Sequence, residues 1–411
     1  MKRWRRIAAP LLAALLLLAV FLPLAVQVSG VYTGTFQFDE HGKFTVMQLT
    51  DIQDDQNVDS RTISLITNMI ARYNPDLVVF TGDNQKGSQS VSNFQASVNA
   101  FLAPLLNTGT KFAVTFGNHD DESNILYNPG SKDEQYNYYM SHGGGCAVDH
   151  DVDALSGVGN GVIPIYPYGQ TDGTPAWQVY LMDSGTYASS GYDCPYTDQI
   201  DYYIQRSIAY PDVPSLWYMH IIVPDVYSKC LTTTNNGTGV SYTGSGSPFS
   251  SNTYYMDTTR LNWAKSGAGT TLAEIYKEPP CPADLSTYTS TAHRSSATYG
   301  SKTLYEAWTA YGNLKGAYFG HDHKNTFVAT TSDGIDIGYG KSQTLNSYND
   351  GNPGCRVYEL DINGTYTTVN VTENDVVVKF DANGGTGYMA NQVFAKNSTK
   401  ALSANAYTRT G

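Results

Sequence analysis

Residues 43–55, "KFTVMQLTDIQDD", decide how the chain folds, because an apolar run of strand length ends in a cluster of acids. Asp51, Asp54 and Asp55 follow the run with no Lys or Arg among them. Carboxylates this close repel one another unless a positive charge lies nearby. The cluster is therefore either a solvated turn, in which Asp bonds the local backbone, or one side of a cation site at a strand end.

The segments that follow predict alternating helices and strands. Apolar spacing predicts helices within residues 60–75 and 91–109, and strands within "DLVVFTGD" and "KFAVTFGNHD". Strand–helix–strand units place successive strands parallel, so the polar strand ends meet at one edge of the sheet. These ends are Asp51, Asp83 and the run Asn118-His119-Asp120. Ligand sites of α/β proteins form at such an edge.

The second half of the chain is richer in predicted strands. Short apolar runs bounded by Gly, Pro or Asp predict a second sheet packed on the first, and they are "AWQVYLMDSG", "SLWYMHIIVP", "LKGAYFGHDH", "NTFVATTSDG", "IDIGYG" and "CRVYELDING". Residues 228–300 are long and polar, as is typical of a surface insertion.

Composition and charge exclude some classes of function. Residues 1–30 have four basic residues, an apolar run and a small-residue exit, the pattern of an export signal, with an uncleaved membrane anchor as the alternative. Without them the chain has 21 basic and 37 acidic residues, a net charge of −16. This charge argues against non-specific nucleic-acid binding, so no nucleic-acid partner is expected.

The five cysteines are widely spaced and form no Cys-x-x-Cys pair. A zinc site built of thiolates is therefore not predicted. An oxidising compartment would allow one or two disulfides.

Four of the eight histidines lie in strand-end motifs. His321 and His323 are two apart on a predicted strand, so both rings would face one site. His220 stands alone on a strand, where a histidine is more typical of the core than of a metal site. Together with the Asp and Asn side chains, these rings form an oxygen and nitrogen donor set that suits iron, manganese or zinc better than calcium.

The ordered motifs resemble those of the calcineurin-like metallophosphoesterase superfamily. That family has Asp-x-His, Gly-Asp, Gly-Asn-His-Asp/Glu, His and Gly-His-x-His, and this chain has Asp51-x-Gln53, Gly82-Asp83, Gly117-Asn118-His119-Asp120, His220 and Gly320-His321-x-His323. The stretches "MDSGTY", "MHIIVPD" and "FGHDHKN" are similar to the purple-acid-phosphatase-like branch. The resemblance covers residues from about 44 to 361.

The resemblance implies an α/β fold: a four-layer α/β/β/α sandwich of two mixed sheets flanked by helices over residues 31–372. It also implies two divalent or trivalent metal ions, iron, manganese or zinc. Asp83 would bridge them, Asp51 and His323 would bind the first ion, and Asn118, His220 and His321 would bind the second.

By the same resemblance, a hydroxide shared by the two metals would attack the phosphorus of a phosphate monoester. His119 would be catalytic beside Asp83, as a general acid or as a stabiliser of the transition state. Asn118 and His119 would contact the substrate, and the loops 121–165 and 228–300 would determine which small phosphorylated compound binds.

Gln53 departs from the family pattern, in which a histidine stands at this position. Purple acid phosphatases also lack that histidine and have a tyrosine three residues after the bridging aspartate, but here that residue is Lys86. The first metal would then be held by the amide oxygen of Gln53, a weaker ligand than imidazole, or be helped by Asp54 or Asp55.

Residues 373–411 resemble the start of a Listeria–Bacteroides repeat, a small β-rich module of bacterial surface proteins, through "FDANGGTG" and "LSANAYTRTG". This resemblance implies a separate truncated module and an association with the cell wall or membrane.

Two functions remain open at this point. The first is an exported, metal-dependent phosphoesterase, with a phosphodiesterase as a variant of it. The second is a surface adhesion or binding protein whose phosphoesterase domain has lost a metal and most of its activity. Gln53 and the repeat favour the second function, and the remaining motif residues favour the enzyme.

Overall fold

The computed structural model describes residues 31–122, 131–237, 239–241, 252–267, 271–396 and 398–409. The predicted export signal, residues 1–30, lies outside this part of the chain, as do residues 123–130 and 242–251 of the two predicted specificity loops. Within the described ranges, no helix is long and apolar enough to cross a membrane.

The strands of the described residues are, in chain order, β1 Phe36–Gln37, β2 Lys43–Leu49, β3 Leu77–Thr81, β4 Lys111–Thr115, β5 Gly161–Tyr166, β6 Trp177–Leu181, β7 Pro214–Tyr218, β8 Leu231–Thr232, β9 Val240–Ser241, β10 Thr253–Met256, β11 Asn313–Phe319, β12 Val328–Thr330, β13 Asp336–Tyr339, β14 Gly354–Asp361, β15 Tyr366–Thr372, β16 Val376–Val378 and β17 Gln392–Phe394.

The helices of the same residues are α1 Ser60–Tyr73, α2 Val91–Thr108, α3 Asn118–Asp121, α4 Ser131–His142, α5 Thr197–Ala209, α6 Val226–Lys229, α7 Trp263–Ser266, α8 Leu272–Ile275, α9 Leu285–Thr289 and α10 Leu304–Ala310. Two 3₁₀ turns, Thr291–His293 and Ala297–Tyr299, precede α10.

Two mixed sheets form the centre of the fold. The first has the order β15-β14-β2-β3-β4, in which β2, β3 and β4 are parallel and β14 is antiparallel to β2. The second has the order β1-β5-β6-β7-β11-β13-β12, in which β6, β7, β11 and β13 are parallel. Small sheets of β8-β10-β9 and β16-β17 lie outside them.

Three buried clusters define four layers. One lies between the two sheets and includes Val46, Val79 and Leu216. A second packs α1 and α2 on the outer face of the first sheet, and a third packs α5 and α10 on the outer face of the second. The α/β/β/α architecture with a small β-rich C-terminal part is therefore confirmed.

Helix α1 shows why the predicted boundaries hold. Its first turn is capped by Asp59, whose side chain accepts a hydrogen bond from the backbone N–H of Arg61 at 2.8 Å. Its end is Asn74, which takes the left-handed conformation at φ 44° before Pro75. Asparagine tolerates this conformation and proline cannot continue the helix, so the chain turns directly into β3.

The cysteines form no disulfide among the described residues. Cys146, Cys194, Cys230 and Cys355 are buried free thiols. The disulfides that the sequence allowed are therefore absent.

The C-terminal part lies against the outer edge of the first sheet. Val377 and Val393 pack on the cluster under α1 and α2, and Arg72 of α1 donates to the backbone carbonyls of Glu373 and Asp375 at 3.3 and 3.0 Å. The assignment of residues 373–411 to a separate module stays a prediction.

Candidate metal centre

The candidate centre lies where parallel strands of both sheets end. Asp51 follows β2 by two residues, Asp83 follows β3 by two, and Asn118 follows β4. From the second sheet, His220 follows β7 and His321 follows β11, each by two residues. The two sheets face each other, so these carboxyl ends meet in one place. Asp51, the first of the three acids in residues 43–55, lies there.

Left-handed backbone turns the ligands inward at four positions. Asp51, Gln53, Asp83 and His321 have φ values of 52°, 47°, 49° and 73°. Non-glycine residues rarely adopt this conformation, which costs about 1–3 kcal/mol at each position and clusters at functional sites. The turns are held by backbone hydrogen bonds from Asp51 to Gly82 and from Gln53 to Asp83, each 3.1 Å.

The glycines of the motifs are explained by close approach. A Cβ atom on Gly117 would lie 2.3 Å from Oδ1 of Asp83, and one on Gly320 would lie 2.1 Å from Oγ1 of Thr50. Gly82 is also at φ 92°, where a side chain is strained. Each glycine therefore lets two segments at the strand ends approach closely, at Asp83 for Gly117 and at Thr50 for Gly320.

The first donor group consists of Asp51, Asp83 and His323, whose ligand atoms lie within 4.8 Å of one another. Nε2 of His323 is 3.4 Å from Oδ1 of Asp51. Its Nδ1 is 2.7 Å from the carbonyl oxygen of Tyr348 and must donate there, because a carbonyl only accepts. In the neutral ring, the Nε2 lone pair therefore faces a carboxylate.

The second donor group consists of Asp83, His220 and His321. Nδ1 of His220 donates to the carbonyl of Thr81 at 3.0 Å, and its Nε2 lies 3.2 Å from Oδ2 of Asp83 without a hydrogen bond. Oδ1 of Asn118 is also buried without a partner. Buried donors and acceptors are normally satisfied, so buried ligand atoms left without a partner beside Asp83 suit a cation.

The pKa values of His220, His321 and Asp83 show that the second donor group carries a negative charge on Asp83, which a cation would balance. Burial favours neutral His220, but the charge of Asp83 and its contact with the ring raise the pKa of His220 to about 9. Burial and the charge of His220 lower the pKa of His321 to about 3, which keeps it a neutral donor. Burial alone would raise the pKa of Asp83, but His220 holds it well below its usual range.

The residues present therefore fit two metal ions that share Asp83. Asp51 and His323 belong to one donor group, and His220 and His321 belong to the other. The assignment of Asp51 and His323 to one ion, and of Asn118, His220 and His321 to the other, stays a prediction. The mixture of carboxylate, amide and imidazole donors suits iron, manganese or zinc.

His119 lies beside these groups rather than within them. Its side chain is 38% exposed, Nε2 is 3.9 Å from Oδ2 of Asp83, and Nδ1 is 2.8 Å from Oε2 of Glu122. Its backbone N–H donates to Oδ1 of Asp83 at 2.9 Å. One ring nitrogen is thus fixed by Glu122 and the other faces the centre.

Gln53 also reaches the centre, through its amide nitrogen. Nε2 donates to Oδ2 of Asp83 at 2.9 Å. Asp54 is used elsewhere, because it accepts from Thr62 at 2.8 Å and from Asn346. Asp55 accepts from the backbone of Asn57 at 2.8 Å in a local turn. Gln53 is therefore the neighbour of Asp83, whereas the Asp54 and Asp55 carboxylates make hydrogen bonds elsewhere.

One geometric argument from the sequence was wrong. His321 and His323 are not on a strand, because β11 ends at Phe319 and His321 has φ 73°. They do not face one site in parallel, as alternate strand residues would. The turn instead directs His321 to the second donor group and His323 to the first.

Sequence reasoning missed the tyrosines around the centre. Tyr187 accepts from Nδ2 of Asn118 at 3.0 Å and donates to Oε1 of Glu122 at 2.5 Å. Tyr192 contacts the ring of His321, with centroids 4.2 Å apart, and Tyr348 stacks on His323 at the same distance. Only Tyr187 had a signal, as the last residue of "MDSGTY". Tyr348 lies in a polar loop whose sequence shows no pattern.

Part of the chain is similar to known proteins. Residues 44–217 match the family model described as calcineurin-like phosphoesterase.

Curated relatives are purple-acid-phosphatase-like. "Probable inactive purple acid phosphatase 29" of Arabidopsis thaliana is 28% identical over 52% of this chain and 64% of its own length. "Phosphatase DCR2" of Saccharomyces cerevisiae is 25% identical over 46% of this chain and 36% of its own. The alignments thus span about a third to two thirds of the length of these relatives.

Among solved structures, the chain is similar to the GAP50 anchor of the inner membrane complex of Plasmodium. The match covers 80% of this chain and 84% of that chain at 11% identity, with a TM-score of 0.43.

Proposed function

We propose that the chain is an exported, metal-dependent phosphoesterase that hydrolyses small phosphate monoesters. The observation that carries the proposal is the pair of donor groups that share Asp83, with Nε2 of His220 and Nε2 of His323 directed at carboxylates. Without a cation, a proton on the ring balances the carboxylate, and despite burial the pKa of His220 is raised to about 9 for that reason. A metal ion would take the place of that proton.

Two bound cations would supply positive charge for the phosphoryl oxygens and lower the pKa of a water molecule near them. The chain positions the other participants. Asp83 belongs to both donor groups, and the amide oxygen of Asn118 is buried without a partner. His119, with Nδ1 bound to Glu122, has Nε2 available to donate a proton to the leaving oxygen.

Two tyrosines beside the centre are accessible to a substrate. Tyr187 contacts Asn118, Tyr348 stacks on His323, and the two side chains are 51% and 50% exposed. The preference for a monoester is an expectation that the two substrates of the test distinguish. Export and extracellular location are supported by the pattern of residues 1–30.

The test uses the purified chain after removal of metals by a chelator. Manganese, zinc and iron are titrated back while hydrolysis of p-nitrophenyl phosphate and of bis(p-nitrophenyl) phosphate is followed. We expect two ions per chain at full activity and a preference for the monoester. His119→Ala should retain the ions and lose about a hundredfold in turnover. His142→Ala, at an exposed helical histidine stacked on Tyr138, is the matched control.

A second function is favoured by two observations. Curated relatives carry the word "inactive" in their names, and Gln53 directs an N–H at Asp83 where the family has an imidazole. The alternative is a surface binding protein with one occupied metal position. One ion per chain and no hydrolysis at saturating metal would support it over the enzyme.

A further inference from the structure

A separate cluster of metal-type ligands lies outside the centre described above. Asp193 and Cys194 lie between β6 and α5, and His293 lies in the 3₁₀ turn Thr291–His293. The three residues are 9%, 2% and 7% exposed. Their ligand atoms lie within 4.8 Å of one another, a spread that one ion with bonds of about 2.0–2.3 Å spans.

The hydrogen bonds of Ser290 bear on which nitrogen of His293 carries the proton. The Ser290 hydroxyl has one proton and lies 2.9 Å from the carbonyl oxygen of Thr287 and 2.8 Å from Nδ1 of His293. When that proton goes to the carbonyl, which only accepts, the Ser290 oxygen accepts from Nδ1. In the neutral ring of that tautomer, Nε2 carries a lone pair.

That lone pair faces a carboxylate. Nε2 of His293 lies 2.9 Å from Oδ1 of Asp193 but makes no hydrogen bond. Two electron-rich atoms at this distance repel one another unless a cation lies between them. Protonation of Nε2 would remove the repulsion, but the contact lacks the geometry of an N–H···O bond. In the candidate metal centre, Nε2 of His220 likewise faces Asp83 without a hydrogen bond.

Neighbouring groups hold the cluster in place. Tyr196 donates to Oδ2 of Asp193 at 3.0 Å, and the backbone N–H of Cys194 donates to Oδ1 at 2.9 Å. The ring of Tyr196 also packs on His293 with centroids 4.4 Å apart. Outer contacts that fix carboxylate and imidazole ligands are typical of metal sites.

A reactive cysteine is the other reading of such a cluster, and the structure disfavours it. Burial, together with the charge of Asp193, raises the pKa of the Cys194 thiol. A reactive cysteine needs thiolate character and access to solvent, and Cys194 has neither.

We propose that Asp193, Cys194 and His293 bind a structural transition-metal ion, with zinc as the best match. A set of one thiolate, one imidazole and one carboxylate selects zinc over magnesium or calcium. The sequence excluded a zinc site built of thiolates, whereas this site has a single thiolate. Cys194 would release its proton to solvent when the ion binds.

The ion would connect two segments that are far apart in the chain. Residues 184–196 carry Tyr187 and Tyr192, which contact Asn118 and His321 of the candidate metal centre. Residues 284–294 belong to the long insertion before β11. A bound ion would hold this insertion against the tyrosines that form the wall of the centre.

The test is cobalt(II) binding to the full chain after removal of metals. A thiolate bound to cobalt gives a near-ultraviolet charge-transfer band, which the oxygen and nitrogen donors of the metal centre do not give. We expect this band in the unmodified protein and its loss in Cys194→Ser. His293→Gln, which keeps the thiol, should raise the cobalt midpoint of the band by more than about tenfold.

Two control variants locate the thiolate. Cys230→Ser changes a fully buried thiol that belongs to neither group and should keep the band. Cys281→Ser tests the other thiol near metal-type ligands, which lies with His321 and Asp322. The proposal is wrong if the unmodified protein binds cobalt without the band, if the band survives Cys194→Ser, or if it disappears in Cys281→Ser. Circular dichroism checks that each variant folds. None of these outcomes depends on phosphatase activity.

Discussion

Replacing Glu122 by glutamine tests the role of His119 without touching a metal ligand. Glu122 fixes Nδ1 of His119 at 2.8 Å and is itself held by Tyr187. A hydrogen bond between charged partners contributes about 1.5–3 kcal/mol, and exposure moves the value toward the low end. The two side chains are 38% and 30% exposed. About 1.4 kcal/mol corresponds to a tenfold change, so we expect Glu122→Gln to lower turnover about tenfold.

The pH profile gives a second readout. Burial lowers the pKa of His119, but the charge of Asp83 and the contact with Glu122 outweigh burial and raise it. Loss of the Glu122 charge should therefore lower the pKa. A general acid acts only when protonated, so the alkaline limb of turnover should move to lower pH. Turnover is measured with p-nitrophenyl phosphate across pH at saturating metal.

The matched control is Asp121→Asn, which removes an equal charge one residue earlier and leaves the ion pair of His119 and Glu122 in place. It should leave the alkaline limb where it is. If Glu122→Gln changes neither the rate nor the limb, His119 is not the proton donor. If it instead lowers bound metal, Glu122 supports the ligands rather than the acid.

Three further predictions concern metal binding and stability. Asp83→Asn should abolish activity and lower bound metal, because a neutral amide cannot balance charge on two ions; full activity would refute the shared site. Gln53→His should keep or raise metal affinity, and Gln53→Ala should weaken the first site alone. Both effects are measured as the metal concentration that gives half-maximal activity. If neither substitution changes that concentration, Gln53 is not a ligand. Deleting residues 373–411 should retain activity and lower the melting temperature by only a few degrees, because Val377 and Val393 are only partly buried against the main core. A drop of tens of degrees would show that residues 373–411 are part of that core.

The sequence predicted features that depend on local pattern. The helices and strands around the centre follow from apolar spacing, and the strand ends follow from the parallel connections. The contacts of Tyr187 with Asn118, 69 residues away, and of Tyr348 with His323, 25 residues away, depend on loop paths that no local pattern encodes. The sequence predicts a strand at His321 and His323 because the apolar run of β11 reaches Phe319. The pattern alone does not show that the strand ends there and that His321 adopts a left-handed conformation. The orientation of the Gln53 amide is likewise set by Asp83, which is distant in the chain.

The left-handed turns at Asp51 and Asp83 bear on how a donor set of this kind could lose its metal. Asparagine tolerates this conformation nearly as well as aspartate and has the same shape. A change of one oxygen to an amide nitrogen would therefore suit the left-handed backbone while removing the charge that a metal requires. Its cost is local, because at Asp83 the new NH2 group would face one of the N–H donors of His119 and Gln53. We expect such a variant to lose metal before it loses its fold. Comparing thermal stability with metal content across natural variants at Asp51 and Asp83 would test this expectation.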